Sequence, residues 1–128
     1  MAPLISIVDD DVSVRKSLER LIRSAGMKVC VFASAEEFLN SADPRKADCL
    51  ILDVQLPGMS GTELFRQLNM HKYKVPVIFI TAHGSDEQAR SEAASNWTVR
   101  FLIKPFSGDE LLDAVSAALK RKQNNSGT

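Results

Sequence analysis

Five short apolar segments alternate with stretches of helical periodicity along the chain. Each segment has the length of a β-strand and is rich in β-branched residues; the segments are residues 4–8, 28–32, 48–52, 76–80 and 99–103. The stretches that follow them repeat apolar residues every three or four positions, as an amphipathic helix does. Strands joined by helical crossovers pair in parallel, so the pattern predicts an open α/β sandwich in which helices cover both faces of a parallel sheet.

Capping signals indicate where three of these helices begin or end. Gly26 follows the first helical stretch, at the place where a left-handed C-terminal residue is expected. Ser34 with Glu37, and Ser107 with Glu110, have the spacing of a capping box. The sequence therefore predicts helices that begin just after residues 34 and 107.

The composition narrows both the architecture and the partners. With 128 residues, 45% of them hydrophobic and 25% charged, the chain is long enough for one domain with its own core. We place this domain at residues 1–121 and interpret residues 122–128 as a polar tail or the start of a linker. The formal net charge of zero gives no general attraction to nucleic acid or membranes, and no apolar run could span a bilayer, so a cytoplasmic location is expected. Cys30 and Cys49 lack metal-binding spacing and are interpreted as buried thiols.

Polar residues follow four of the five predicted strands. They are Asp9, Asp10 and Asp11 after the first strand, Asp53 after the third, Thr81 after the fourth, and Lys104 with Pro105 after the fifth. Functional sites of open α/β sheets lie at the carboxyl ends of the strands, where these side chains would meet. A single site built from four strand ends is therefore expected.

The residue types of this site indicate its chemistry. Two carboxylates about 4 Å apart repel each other by roughly 4 kcal/mol at an effective dielectric constant of 20, so clustered acids need a cation. Only oxygen ligands are present, which favours Mg²⁺ or Mn²⁺ over zinc. A carboxylate beside such a cation, a hydroxyl and a lysine can attack a phosphoryl group in line, and Asp53 is placed to be this nucleophile.

Each of these residues also has a simpler structural interpretation. Asp11 precedes a helical stretch and is most simply its N-cap, and Asp9 and Asp10 could be acids that favour the same helix end. Thr81 alone could merely end a strand, and Lys104 alone could be a surface lysine. Their joint placement on four strand ends is what favours a functional site.

Four motifs give the chain a resemblance to a known family. The chain contains, in order, IVDDD (7–11), LILDVQLPGMSG (50–61), VIFITA (77–82) and FLIKPF (101–106). In order and spacing these motifs resemble the receiver domains of two-component response regulators, and the resemblance extends from residue 4 to about residue 121. It implies a flavodoxin-like fold, a doubly wound sheet of five parallel strands in the order 2-1-3-4-5 with five helices. The chain looks most like receivers that precede a helix-turn-helix DNA-binding domain, so regulation of transcription through an output domain outside this chain is expected.

The resemblance assigns roles to the carboxylates. It implies that Asp53 accepts a phosphoryl group from a phosphohistidine of a sensor histidine kinase. It also implies that Asp10, Asp53 and the backbone carbonyl of Gln55 bind Mg²⁺ directly, while Asp9 bonds a water of the ion. Such a domain would catalyse its own phosphorylation and dephosphorylation without being a conventional enzyme.

The resemblance further implies a switch. Thr81 would bond one phosphoryl oxygen, Lys104 would pair with another, and a cis peptide bond would join Lys104 to Pro105. Thr81 and Phe101 would relay phosphorylation to the face formed by the fourth helix, the fifth strand and the fifth helix. Through this face the phosphorylated domain could form a homodimer.

The chain departs from the family pattern near its fifth strand. Trp97 and Arg100 stand where the family usually has a glycine and often has an acid. Asn96 could adopt the left-handed turn instead, with Trp97 packing over the end of the fourth helix, or Trp97 could anchor a partner. These departures bear on the shape of that helix and on dimerisation. His83, two residues after Thr81, is expected to influence the access of water to an acyl phosphate, not to serve as a base.

Three other functions fit parts of the pattern. A phosphatase of the haloacid dehalogenase type shares the aspartate nucleophile but needs an acid two residues later, where this chain has Gln55. A flavodoxin-like binding module needs hydroxyls and amides after the first strand, whereas three aspartates would repel a phosphate. A receiver that binds partners without being phosphorylated would not need the complete set of motifs.

Overall fold

Five parallel strands form one sheet in the computed structural model. The structure describes residues 2–41, 46–82, 90–91 and 99–126; of these, Val99 and residues 122–126 are described by their backbone alone. The strands are β1 (Leu4–Val8), β2 (Lys28–Phe32), β3 (Cys49–Asp53), β4 (Val77–Thr81) and β5 (Val99–Ile103). Their order across the sheet is β2-β1-β3-β4-β5, and every neighbouring pair is parallel. The predicted fold class and strand order are confirmed.

Helices cover the sheet. They are α1 (Val12–Ser24), α2 (Ala35–Leu39), α3 (Gly61–Met70) and the C-terminal helix (Gly108–Ser126). The fourth helix predicted between β4 and β5 lies mostly outside the described residues. Arg90 and Ser91 are the residues of this segment that the structure describes, and both are helical. The C-terminal helix continues to Ser126, so part of the segment interpreted as a tail is helical, while a domain boundary at residue 121 stays a prediction. Among the helices in these ranges, none has the length and apolar character needed to cross a bilayer.

The predicted helix caps are confirmed. The Asp11 carboxylate N-caps α1 by accepting the N–H groups of the second and third residues after it, at 2.8 Å and 3.3 Å. Ser34 caps α2 with a 3.0 Å bond from Glu37 N–H, and Ser107 exchanges bonds of 3.0 Å and 3.3 Å with Glu110. Gly26 follows α1 with a φ of +83°, the left-handed conformation that glycine adopts readily.

The core lies on both faces of the sheet. On one face α2 and α3 bury Phe38 and Phe65, and on the other α1 and the C-terminal helix bury Ile22 and Val115. Burial of each such side chain stabilises the fold by roughly 1.5–3 kcal/mol relative to exposure. The central strands β3 and β4 are buried throughout, which makes a rigid platform for the residues at their carboxyl ends.

Two strands begin and end one residue later than the sequence pattern predicts. Pro76 has no N–H for the ladder and only its carbonyl pairs, with the N–H of Leu50 at 2.9 Å, so β4 begins at Val77. In-register pairs keep Asp53 opposite Ile80 and Thr81 opposite Ile103. Asp53 and Thr81 are therefore the last residues of their strands, not the first residues after them.

The prediction of two buried thiols is half wrong. Cys49 is buried on β3, as expected, but Cys30 is exposed. Cys30 lies on β2, an edge strand with a neighbouring strand on one side alone, and the implied strand order 2-1-3-4-5 already placed it there.

Candidate functional site

The residues predicted at four strand ends meet at the carboxyl edge of the sheet. Asp9 follows β1, Asp53 ends β3, Thr81 ends β4 and Lys104 follows β5. Lys104 Nζ lies 3.0 Å from Asp9 Oδ2 and 3.7 Å from Asp53 Oδ2, and the Lys104 N–H donates to the Thr81 carbonyl at 2.7 Å. One lysine thus links residues from three other strands.

Lys104 is held chiefly by Asp9. Its ammonium donates a 3.0 Å hydrogen bond to Asp9, whose side chain is completely buried, whereas the Asp53 carboxylate lies farther away. Burial by itself lowers the pKa of Lys104, but the hydrogen bond to Asp9 and the charges of Asp53 and Asp9 outweigh burial and raise that pKa above its usual value. Lys104 is therefore a permanent positive charge beside Asp53.

Asp9 and Asp10 differ in what they offer a cation. Asp9 is fully buried and both its oxygens are engaged, Oδ1 by the Asp11 N–H at 2.9 Å and Oδ2 by Lys104. Asp10 is exposed, and one of its carboxylate oxygens lies within 4.8 Å of oxygens from Asp9 and Asp53. This set of oxygen donors fits a hard divalent cation such as Mg²⁺.

The surroundings of Asp53 oppose its ionisation. Burial raises its pKa most, the 3.0 Å bond from the Gln55 N–H lowers it, Asp9 and Asp10 raise it, and Lys104 lowers it. Together these effects raise the pKa from its ordinary value of 3.8 to about 6. A nucleophilic carboxylate must be ionised. Additional positive charge at the acidic cluster would lower the pKa of Asp53 and so favour its ionised form.

Gly61 sets the path of the chain behind Asp53. A Cβ atom at Gly61 would collide with the Asp53 carbonyl oxygen, and the Gly61 N–H bonds the Val54 carbonyl at 3.0 Å. The chain therefore folds back onto the end of β3 before α3 begins. Gly61 appeared in the sequence motif, but its role was missed; the signal was a glycine at the start of a helix, where it has no conformational advantage.

Arg15 is a second residue that sequence reasoning missed. It is half-buried on α1, and its Nη1 donates to the Asp9 backbone carbonyl at 2.8 Å. This bond fixes the turn from β1 to α1, where the acidic motif lies. The available signal was a cation near a helix N-terminus, where the helix dipole disfavours positive charge, in a helix with no acid in its first turn.

The two predicted switch residues lie on one face of the sheet. Thr81 is fully buried, and Phe101 is half-buried against the core. Phe101 is paired with Phe79 and Thr81 with Ile103, so Thr81 and Phe101 point to the same side of neighbouring strands. The Arg90 guanidinium lies 5.1 Å from the centroid of the Phe101 ring, which is the distance of a cation–π contact.

Other sequence predictions near β5 have mixed outcomes. The peptide bond between Lys104 and Pro105 is cis, as the resemblance implied. Arg100 is exposed on β5. His83, Asn96 and Trp97 lie outside the described residues.

Comparisons of sequence show the family. A family model described as the response regulator receiver domain matches residues 5–116. Nodulation protein W of Bradyrhizobium diazoefficiens is 49% identical over 122 residues, which cover 92% of this chain and 52% of that protein. Response regulator protein TodT of Pseudomonas putida is 44% identical over 119 residues, covering 93% of this chain and 52% of that protein.

Transcriptional regulatory protein FixJ of Azorhizobium caulinodans is 38% identical over 117 residues, covering 91% of this chain and 55% of that protein. The chain thus spans about half the length of these curated relatives.

Solved structures agree with this result. The response regulator StyR superposes with a TM-score of 0.89 at 40% identity, covering 99% of this chain and 64% of that chain. The Vibrio cholerae chemotaxis protein CheY4 superposes with a TM-score of 0.82 at 27% identity, covering 93% of this chain and 100% of that chain. The chain belongs to the family of response regulator receiver domains of two-component systems, and its relatives include transcriptional regulators.

Proposed function

We propose that Asp53 accepts a phosphoryl group from a phosphohistidine of a sensor histidine kinase, in a Mg²⁺-dependent reaction that the domain itself catalyses. The observation that carries the proposal is the meeting of Asp53 with Lys104 and two further carboxylates at one edge of the sheet. Asp9 shares the cluster and the lysine, but it is fully buried and both its oxygens are engaged, by the Asp11 N–H and by Lys104. Asp53 is thus the phosphoryl acceptor.

The transfer requires an ionised Asp53. One of its carboxylate oxygens attacks the phosphorus in line, the bond from phosphorus to the histidine nitrogen breaks, and the electron pair returns to the imidazole ring. A Mg²⁺ ion held by Asp10, Asp53 and the Gln55 carbonyl, with Asp9 on one of its waters, would supply neutralising charge. The Gln55 N–H, 3.0 Å from Asp53 Oδ1, fixes the direction of the carboxylate.

Lys104 and Thr81 complete the acceptor site. The Lys104 ammonium already lies 3.7 Å from Asp53 Oδ2, so it can bond a phosphoryl oxygen there without leaving the site. Thr81 ends the neighbouring strand and its carbonyl bonds the Lys104 N–H, so movement of Thr81 toward a phosphoryl oxygen acts on both residues. Hydrolysis of the acyl phosphate at the same site would return the domain to its resting state.

The phosphorylated domain would then act through a second domain. Its curated relatives are about twice as long as this chain and include transcriptional regulators, so we propose that the receiver controls a DNA-binding output domain. Within this scheme the receiver contacts the kinase and, when phosphorylated, a second copy of itself. The receiver does not bind nucleic acid directly.

Phosphorylation is tested by measuring intact mass after incubation with acetyl phosphate and Mg²⁺. The wild type is expected to gain one phosphoryl group, and chelation of the metal should abolish the gain. Asp53→Asn keeps the shape of the side chain and removes the nucleophile, so it should gain nothing. Asp113→Asn, which changes an exposed carboxylate on the C-terminal helix, should behave as wild type. An undiminished adduct on Asp53→Asn would overturn the proposal.

A further inference from the structure

The loop of residues 54–60 joins β3 to α3 and carries Gln55. The Gln55 N–H bonds Asp53 Oδ1 at the end of β3, and the Gly61 N–H at the start of α3 bonds the Val54 carbonyl, each at 3.0 Å, so the two ends of the loop are held to β3 and to each other. Val54 and Leu56 on either side of Gln55 are buried in the core, whereas Pro57 and Gly58 in the outer part of the loop are exposed. A third contact comes from a different part of the chain.

Glu36 supplies this third contact. Its Oε2 accepts the N–H of Met59 at 3.1 Å, across 23 positions of sequence. The Met59 N–H bond lowers the pKa of Glu36, which agrees with a hydrogen bond to the charged carboxylate. The bond therefore ties α2 to the loop that follows the phosphoryl acceptor.

Gly58 makes the approach of Glu36 possible. A Cβ atom at Gly58 would lie 2.6 Å from Glu36 Oε2, and Gly58 has a φ of +74°, which favours glycine. The carboxylate thus lies directly against the loop backbone.

The element that carries Glu36 is firmly anchored. Phe38, two residues later on α2, is 1% exposed and packs edge-on against Phe32 with ring centroids 5.3 Å apart. Ser34 caps the same helix. Glu36 therefore connects the loop to a helix that is itself fixed to the sheet.

We propose that Glu36 is a positioning residue that holds the loop of residues 54–60 so that the Gln55 carbonyl is presented to the divalent cation. This inference depends on the proposed function, in which that carbonyl is a cation ligand. Without the Glu36 bond the outer part of the loop gains conformational freedom, and the entropic cost of restricting it when the cation binds weakens binding. Glu36 thereby tunes the Mg²⁺ affinity of the acceptor site without touching the ion.

The test is calorimetric titration of the whole chain with Mg²⁺. Loss of a residue that orients a metal ligand commonly weakens binding 10- to 100-fold, and Glu36 acts one step farther away, so Glu36→Ala should weaken it by about three- to tenfold. Glu36→Gln keeps an acceptor oxygen and should recover most of the affinity. Glu37→Ala removes the same charge from the next, exposed position of α2 and should match wild type.

Amide hydrogen exchange of Met59, measured in chelator, provides a readout that is independent of the metal. Exchange at Met59 should be faster in Glu36→Ala than in wild type and in Glu37→Ala. Three results would each overturn the role of Glu36 while leaving the proposed function intact. They are equal Mg²⁺ affinity in Glu36→Ala and wild type, a loss of affinity in Glu37→Ala as large as that in Glu36→Ala, and unchanged exchange at Met59. Absence of Mg²⁺ binding in the wild type would overturn this role and the proposed cation dependence together.

Discussion

Asp53 combines a reactive position with surroundings that oppose its charge. It is the last residue of a fully buried strand, with Asp9 and Asp10 nearby and one lysine 3.7 Å away. Burial is the main cause of its raised pKa, which lies at about 6 in place of 3.8. At neutral pH the ionised Asp53 side chain therefore destabilises the metal-free fold.

This cost predicts a pH dependence of stability in chelator. Because the pKa of Asp53 is higher in the folded chain than its ordinary value, its contribution to stability is fully present below pH 3.8 and is lost as pH rises through about 6. Asp53→Asn should therefore be more stable than wild type at pH 8, by about 1–3 kcal/mol, because a rise of about two in pKa corresponds to roughly 3 kcal/mol at most. Urea unfolding across pH 4 to 8 would measure the difference.

Asp113→Asn is the matched control for this experiment, since it neutralises an exposed carboxylate. It should show no comparable gain at pH 8. A stability difference between Asp53→Asn and wild type that did not change between pH 4 and pH 8 would contradict the assigned pKa.

At the scale of elements, the end of β1 and the start of α1 divide three consecutive aspartates among different tasks. Asp9 is buried and bonded to Lys104, Asp10 is exposed beside the acidic cluster, and Asp11 caps α1. Arg15 closes the same turn by its bond to the Asp9 carbonyl. One step along the chain thus changes a carboxylate from a candidate cation ligand to a helix cap.

This division predicts that substitutions of neighbouring aspartates affect different properties, stability in one case and Mg²⁺ affinity in the other. Asp11→Ala should lower the free energy of unfolding by about 1 kcal/mol, because it removes the N-cap of α1. It should leave Mg²⁺ affinity nearly unchanged, whereas Asp10→Asn should weaken Mg²⁺ binding more than Asp9→Asn does. Urea unfolding in chelator and Mg²⁺ calorimetry on the three variants separate the two properties. A larger loss of affinity in Asp11→Ala than in Asp10→Asn would show that the register of the acidic motif is wrong.

Local patterns predicted the elements well because the patterns depend on neighbours in sequence. Apolar runs located all five strands, and capping boxes located the starts of two helices. The shift of β3 and β4 by one residue escaped prediction because it is decided by ladder pairing with another strand. The contact of Glu36 with Met59 escaped for a similar reason, since it joins positions that share no pattern.

The site was predictable for a related reason. Parallel strands bring their carboxyl ends to one edge, so residues at four strand ends could be assembled from order alone. Sequence could not show that Lys104 bonds Asp9 more closely than Asp53, or that Gly61 packs on the Asp53 carbonyl, because both depend on three-dimensional distances.

At the scale of the whole molecule, the proposed phosphorylation at one edge of the sheet would have to act on a distant face. Thr81 and Phe101 lie on the same side of neighbouring strands, and Phe101 packs against the core and makes a cation–π contact with Arg90. Movement of Thr81 toward a phosphoryl oxygen would vacate space that the Phe101 ring can fill. The phosphoryl group shifts this equilibrium only by its differential interaction with the two states.

This relay predicts that phosphorylation and output can be separated. Thr81→Ala should still accept phosphate but fail to switch, and Phe101→Ala should lose any change in association that phosphorylation causes in wild type. Sedimentation with and without beryllofluoride, which mimics the phosphoryl group, measures the response. Met70→Ala, at a position 77% exposed on α3, is the control and should respond as wild type. Equal responses from wild type, Thr81→Ala and Phe101→Ala would contradict the relay.

Chemical trapping would identify the aspartate that accepts the phosphoryl group. Borohydride reduces an acyl phosphate of aspartate to homoserine, so the acceptor is marked permanently in the chain. After phosphorylation with acetyl phosphate and Mg²⁺, peptide mass spectrometry should find homoserine at position 53 and at no other aspartate. Homoserine at position 9, 10 or 11, or its absence from position 53 in a protein that had gained a phosphoryl group, would contradict the assignment of Asp53 as the acceptor.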